Sequence, residues 1–431
     1  MERKKGFHYG FIIVISLFIQ LFAAGSLLMT AGMFLVPVTT ALKLTQGVYM
    51  MYMTIQYGVM AVASVFMPRL LSRYKFTSLN KVFIIIMALG AFAMAAATNI
   101  VLIYVGGALI GMSMPVVSYQ CSAILIPRWF KEKQGVMLAT ATLGITIAGA
   151  VMSPVISSWL SNETFLGMES WRGAYVFLGA ALLIVGLLNA FILLREAPAD
   201  GVRYGETSSP SEGGSASAIS VGGVDKSVAV RSVSFVFLIL LIICFNFACP
   251  VQSYLPAYAQ LSEAASIANF DVVGLLSSVV LVASAIGGYI IGFANDKFGA
   301  RGGGSVAGVC GVLGFIVLIL FGSSPVMMLV GGALFGIYYP ISNLIMPSMV
   351  TTMYGERQYA QIFPVVAAWG PWFGAVAASL WGFIYDGTGS YDAVFIIAGI
   401  LCALTAVFSF AGIAASRKLK SQWQSNSSIN V

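Results

Sequence analysis

The chain is 431 residues long, 59% of them hydrophobic and only 9% charged, with a net charge of +7. Soluble globular domains carry about 45–50% apolar and about 25% charged residues, so these proportions exclude an ordinary water-soluble fold and fit a chain that lies in lipid. The basic excess calls for no nucleic-acid partner if it follows the sidedness of a membrane.

A helix rises ~1.5 Å per residue and the hydrocarbon core of a bilayer is ~30 Å thick, so a span needs about 20 mostly apolar residues. In chain order, twelve such runs read as spanning helices 1 to 12: 10–36, 48–68, 80–97, 101–127, 134–159, 171–194, 233–257, 272–294, 304–321, 325–350, 358–385 and 391–415. Barrel strands would alternate apolar and polar residues, and these runs do not. The first run is too long for the apolar stretch of a typical signal peptide, and its outer end, FLVPVTTALK, lacks a small-residue cleavage pattern. It is expected to remain as helix 1.

After helix 6 the texture changes. Residues 196–231 are rich in Gly, Ser and charge, cannot bury a core, and read as a cytoplasmic linker. The expected organisation is a six-helix bundle over 1–195, the linker, a second six-helix bundle over 232–416, and a polar tail over 417–431. All five cysteines fall inside the runs, where thiols behave as small apolar groups, so neither a disulfide nor a metal site is expected.

With the N-terminus inside, 20 of the 22 Lys and Arg residues gather on the inner side, and only Lys43 and Arg172 fall outside. That asymmetry predicts cytoplasmic termini, and an odd number of spans would have scrambled it.

Helix 4 carries GGALIGMSMP at 106–115 and helix 10 carries GGALFGIYYP at 331–340. Each phrase sets small residues ahead of a proline near mid-span, which permits close helix approach and then a kink. SRYKF (72–76) ends helix 2 as NDKFG (295–299) ends helix 8. A parallel repeat of six plus six helices is an arrangement of transporters that rock two halves about a central site.

In GFANDKFGAR, the residues Gly292, Asp296, Lys297, Gly299 and Arg301 resemble the Gly-x-x-x-Asp-Arg/Lys-x-Gly-x-Arg signature of the major facilitator superfamily. The copy after helix 2, PRLLSRYKF, is eroded, with Pro68, Ser72 and Lys75 where Gly, Asp and Gly would stand. The resemblance implies an all-α integral membrane fold of two pseudo-symmetric six-helix bundles working by alternating access. Asp296 would close a helix at the cytoplasmic surface and face the positive end of helix 5 near residues 131–135, holding an inner gate with Lys297, Arg301, Arg73 and Arg128. The alternative is a solvated loop that merely obeys the charge rule. The stretch RWFKEKQGVMLATATLG (128–144) and the N-terminal HYGFIIV are similar to the oxalate:formate antiporter-like and monocarboxylate porter-like branches, which implies transport of organic acids.

The interior chemistry sets its own terms. All 15 acidic residues fall at span ends or in loops, and His8, the sole histidine, lies at the inner end of helix 1. Ionisable groups inside a membrane usually carry proton coupling or pair with charged solutes. Here hydroxyl, amide and indole groups would have to hold the solute. The candidates for the substrate cavity are Gln20 on helix 1, Tyr119 and Gln120 on helix 4, Asn246 and Gln252 on helix 7, Tyr338, Tyr339 and Asn343 on helix 10, and Trp369 and Trp372 on helix 11. Such residues also serve simply to bond or pack helices together.

A second motif, GAVMSPVISS (149–158), resembles a degraded form of an exporter element on helix 5, and a Met-rich interior suits lipophilic compounds. A transporter-like sensor is a third reading, although linker and tail are short for a signalling module. An integral membrane enzyme would need a metal cluster, a carboxylate pair or an activated nucleophile in the spans. The expectation is a secondary transporter, not an enzyme, which moves a small organic acid by symport or exchange. It is expected to need no cofactor, to bind its small-molecule substrate as a monomer, and to sit in a plasma membrane of the bacterial inner-membrane type.

Overall fold

The computed structural model describes residues 8–118, 121–198, 204, 223–417, 419 and 421. Among them are eleven helical runs long and apolar enough to cross a membrane: Gly10–Leu42, Gln46–Arg73, Phe76–Ala95, Ile100–Trp129, Gln134–Leu160, Ser170–Ile192, Val233–Leu261, Val272–Phe321, Pro325–Tyr354, Tyr359–Thr388 and Tyr391–Ala415. The run Val272–Phe321 is 50 residues long, and at Gly299 its backbone leaves the helical region for φ 70°, ψ −177°. Side chains other than hydrogen are all but excluded from that conformation. Gly299 therefore divides the run into arms at 272–298 and 300–321, each long enough to span. These are helices 8 and 9, which makes twelve.

Polar caps set several boundaries. Thr45 accepts from the Val48 amide at the start of helix 2, Asn99 from Val101 and Leu102 at helix 4, Ser232 from Phe235 at helix 7 and Ser390 from Asp392 at helix 12. Each satisfies an orphan amide that lipid or a neighbouring helix would leave unpaired. Helices 3 and 4, close together in the sequence, are thus distinct. Between helices 5 and 6 two strands, Thr164–Phe165 and Met168–Glu169, form a small hairpin that the all-helical expectation omits.

The sequence gives continuous apolar runs with kinks expected at the prolines of helices 4 and 10, and the structure breaks the spans in five places. Helix 1 is interrupted by a 3-10 turn at Ala31–Phe34 and continues through Pro37 to Leu42, six residues past its expected end at 36. Helix 4 breaks at Ser118, three residues after Pro115. Helix 7 passes through a 3-10 segment at Cys249–Tyr254, helix 10 through one at Tyr339–Ile341, and helix 11 breaks between Tyr359–Ala367 and Gly370–Thr388. Pro250, Pro340 and Pro371 sit at the last three breaks. Proline has no N–H to give the carbonyl four residues back, and its ring crowds that carbonyl.

By contact the chain divides into two units, Met1–Pro210 with Val273–Ser278, and Ser211–Val272 with Val279–Val431. In the first, helix 1 packs on helices 5 and 6, helix 3 on 4 and 6, and helix 2 on 4. In the second, helix 7 packs on 11 and 12, while glycines bring helix 9 onto 10 and 12 and helix 8 onto 10. Each pairing in one unit has its counterpart in the other.

The repeated phrase sits at those contacts. A Cβ on Gly106 would lie 2.7 Å from the Gly90 carbonyl oxygen, and one on Gly90 would lie 2.8 Å from that of Gly106. In the other unit a Cβ on Gly331 would lie 3.0 Å from the Gly314 oxygen, and one on Gly314 would lie 2.8 Å from the Gly331 oxygen. The last glycine of each phrase meets a different neighbour. Gly111 abuts the Gln56 carbonyl on helix 2, and Gly336 abuts the Val280 carbonyl on helix 8. Lipid gives helices no hydrophobic reason to associate, so close backbone approach through glycine supplies the packing.

Candidate functional site

The candidates in the first unit separate. Gln20 is fully buried and spends both amide hydrogens, on Asn80 Oδ1 (2.9 Å) and on the Val117 carbonyl (3.0 Å), while its oxygen accepts from Asn80 Nδ2 (2.8 Å). It ties helices 1, 3 and 4 together and has no hydrogen left to offer a solute, which corrects its reading as a cavity residue. Tyr119 and Gln120 lie outside the described residues. The same unit holds a buried tyrosine cluster that is not evident in the sequence. Tyr49 and Tyr52, one helical turn apart, meet Tyr175 of helix 6, with the Tyr49 and Tyr175 hydroxyls 3.1 Å apart. The Tyr52 hydroxyl is buried without a hydrogen-bond partner among the described residues, beside a small void lined also by Gln56 and Tyr175. The spacing of Tyr49 and Tyr52 shows that they share a face, but nothing in the sequence brings helix 6 to it.

The second unit gathers its candidates at the breaks of helices 7, 10 and 11. Helix 11 is registered against helix 7 by three bonds: Trp381 Nε1 donates to the Phe247 carbonyl (2.9 Å), Tyr254 Oη donates to the Ala378 carbonyl (2.5 Å), and the Gly382 amide donates to Tyr254 Oη (3.0 Å). In that register Asn246 lies against Gly370, where an added Cβ would come within 3.0 Å of its amide. Asn246 gives one hydrogen to the Ile242 carbonyl (2.9 Å) and is half-buried. Tyr339 Oη donates to the Cys249 carbonyl (2.5 Å), which joins the break of helix 10 to that of helix 7.

Trp369 and Trp372 are 47% and 54% exposed, enough to leave much of each ring available, and Trp369 stacks on Phe373, which packs in turn on Phe247. Asn343 is exposed and Gln252 half-buried. Tyr338 differs. It is fully buried, packs on Phe245, and shares a hydrogen bond of 2.9 Å with Thr405 on helix 12. It belongs to the core, which corrects its reading as a cavity residue.

The signature residues occupy the turn between helices 8 and 9. Gly292 has open space where a Cβ would be, Asp296 and Lys297 are exposed, and Arg301 lies over the Phe410 ring of helix 12 at 5.4 Å. Gly299 makes the turn itself. Ser348 of helix 10 donates to Asn295 Oδ1 (2.9 Å), which anchors the end of helix 8 beside the signature. Arg73 is exposed at the end of helix 2, and Arg128 is half-buried at the end of helix 4. In the exporter-like stretch, Pro154 does not break helix 5, which runs unbroken from Gln134 to Leu160. Every described Asp, Glu, Lys, Arg and His lies within about two turns of a helix end or outside the helices, as the sequence suggests.

Twelve spans, folded as two units with matching helix pairings and broken helices bearing polar groups, define a polytopic membrane protein of the duplicated transporter class. The sequence matches the family model of the Major Facilitator Superfamily over residues 16–270 and 264–428, and the chain belongs to that superfamily. It is a secondary transporter and not an enzyme.

Solved structures share the fold at low identity. A bacterial homolog of the human lysosomal transporter Spinster, inward-facing and unoccupied, superposes with a TM-score of 0.68 at 13% identity, covering 98% of this chain and 99% of that one. The nucleoside transporter NupG, in a mutant form, gives 0.69 at 14%, covering 95% and 100%. The peptide transporter POT in complex with sulfate gives 0.71 at 14%, covering 97% of each. No curated protein sequence matches this chain.

Proposed function

We propose that the solute is a small organic acid, moved by symport or exchange through alternating access of the two bundles, 1–195 and 232–416, about the linker 196–231. What supports this reading is the balance of donors at the breaks of helices 7, 10 and 11. The indoles of Trp369 and Trp372 donate and cannot accept, and the amides of Asn246, Gln252 and Asn343 add further N–H groups. No Asp or Glu occurs in those segments to neutralise a cation. A carboxylate, which only accepts, suits such a set. The likeness of residues 128–144 to the organic-acid branches points the same way. The neighbouring folds belong to nucleoside, peptide and Spinster-like transporters, so fold alone does not choose the solute.

With no Asp, Glu, Lys, Arg or His at mid-span among the described residues, charge balance falls to the solute, which either carries its own proton or exchanges for another anion. In this reading the protein works as a monomer in a bacterial plasma membrane with cytoplasmic termini, Asp296, Lys297, Gly299 and Arg301 form a latch of the inner gate, and Arg73 and Arg128 serve the same gate. Asp296→Asn is expected to slow exchange several-fold while leaving ligand binding in detergent unchanged, and an unaltered rate removes the latch.

The substrate class is tested by thermal shift of the purified protein against short monocarboxylates, dicarboxylates, nucleosides, lipophilic cations and neutral lipophiles. A ligand that binds only the folded state raises its midpoint. Stabilisation by carboxylates alone is expected. Stabilisation by lipophilic compounds alone turns the assignment to an exporter.

A further inference from the structure

The eroded signature copy after helix 2 borders a pocket lined by cations that are unpaired among the described residues. Arg73 at the end of helix 2, Lys75 in the following turn and Arg128 at the end of helix 4 line one open, polar pocket of about 330 Å³. Among the described residues none of the three makes an ion pair. The carboxylate that the signature would place in this turn is replaced by Ser72, whose hydroxyl is turned to the Arg69 carbonyl (2.8 Å). In the other unit the matching position is Asp296.

One carboxylate does reach the pocket, and it is already engaged. Glu196 Oε1 accepts from the Thr77 amide (3.1 Å) and from its hydroxyl (3.5 Å), so it caps the first turn of helix 3. Trp129 Nε1 holds the segment by donating to the Arg195 carbonyl (3.1 Å), which fixes Glu196 beside the end of helix 4. Among the described residues the pocket therefore keeps a surplus of two positive charges, three cations against one carboxylate, next to the positive end of a 20-residue helix. Tyr74 lines the pocket and is 59% exposed, and Val65 and Phe66 lie exposed further back along helix 2. Cations beside an exposed aromatic ring, with exposed apolar side chains on the same helix, match a phosphate that carries a hydrophobic tail.

We propose that Arg73, Lys75 and Arg128 form a binding site for a phosphate ester, either the headgroup of an anionic phospholipid or a soluble phosphate. This site is separate from the proposed solute site and does not depend on the identity of the solute.

The test is a thermal-shift titration of the full-length protein in detergent with four probes: inorganic phosphate, glycerol 3-phosphate, dioctanoyl phosphatidylglycerol and dioctanoylglycerol. A saturable rise with phosphatidylglycerol alone assigns the site to lipid, and a rise with the soluble phosphates as well assigns it to phosphate generally. Arg73→Gln with Arg128→Gln is expected to weaken binding about tenfold or more, since each basic group near an anionic headgroup contributes about 1 kcal/mol. Ser72→Asp restores the carboxylate and is expected to weaken binding as well, while both variants keep the unliganded midpoint because the groups changed are unpaired or exposed. Equal stabilisation by phosphate-free dioctanoylglycerol, no stabilisation by any phosphate, or unchanged affinity in Ser72→Asp would each overturn the site.

Discussion

Gly111→Ala and Gly336→Ala are each expected to cost about 1–3 kcal/mol of stability, the usual penalty for overpacking a well-packed contact. Both glycines abut a backbone carbonyl of the neighbouring helix, Gln56 for Gly111 and Val280 for Gly336, and a backbone cannot swing aside as a side chain can. The control carries the opposite sign. Gly58 lies inside helix 2 with nothing within 4 Å of an added methyl, so Gly58→Ala is expected to hold or raise stability by up to about 1 kcal/mol through helix propensity. The check is the thermal midpoint of each variant in one detergent. Equal effects in all three would mean that the repeated phrase does not mark the helix contacts.

Trp369→Ala is expected to weaken binding of the solute by about tenfold or more, the cost of losing a central aromatic anchor, with the unliganded midpoint nearly unchanged because the ring is half exposed. Asn246→Ala, at the adjoining break of helix 7, is expected to act in the same direction. Tyr338→Phe should do the reverse, losing about 1 kcal/mol of stability with its bond to Thr405 and leaving affinity alone. Affinity from ligand titrations, set beside the unliganded midpoint, separates the three. An affinity unchanged in both Trp369→Ala and Asn246→Ala moves the site elsewhere.

The fold was legible because lipid imposes strong rules. Span length, the uneven distribution of Lys and Arg between loops and the paired phrases on helices 4 and 10 are all local patterns, and they led to twelve helices and a duplicated architecture. Even the split of Val272–Phe321 was marked by a glycine at the turn, Gly299. The candidate site was legible only as a set of polar residue types. Gln20 and Tyr338 look alike to the sequence as polar residues near mid-span, but their partners, Asn80 and Thr405, lie 60 and 67 residues away and turn both into the core. Asn246 and Gly370 meet only because Trp381 and Tyr254 set the register of helix 11 on helix 7. The cations around Ser72 could be read as loop charges until helix 4 brought Arg128 to them.

The most direct measurement is solute counterflow in proteoliposomes loaded with an unlabelled monocarboxylate and diluted into its labelled form. Transient accumulation of label, abolished by excess external carboxylate and reduced in Trp369→Ala, is the result expected of an organic-acid carrier with a site built from N–H donors. Absence of counterflow with every acid tested, together with accumulation of a neutral lipophilic compound, would contradict it.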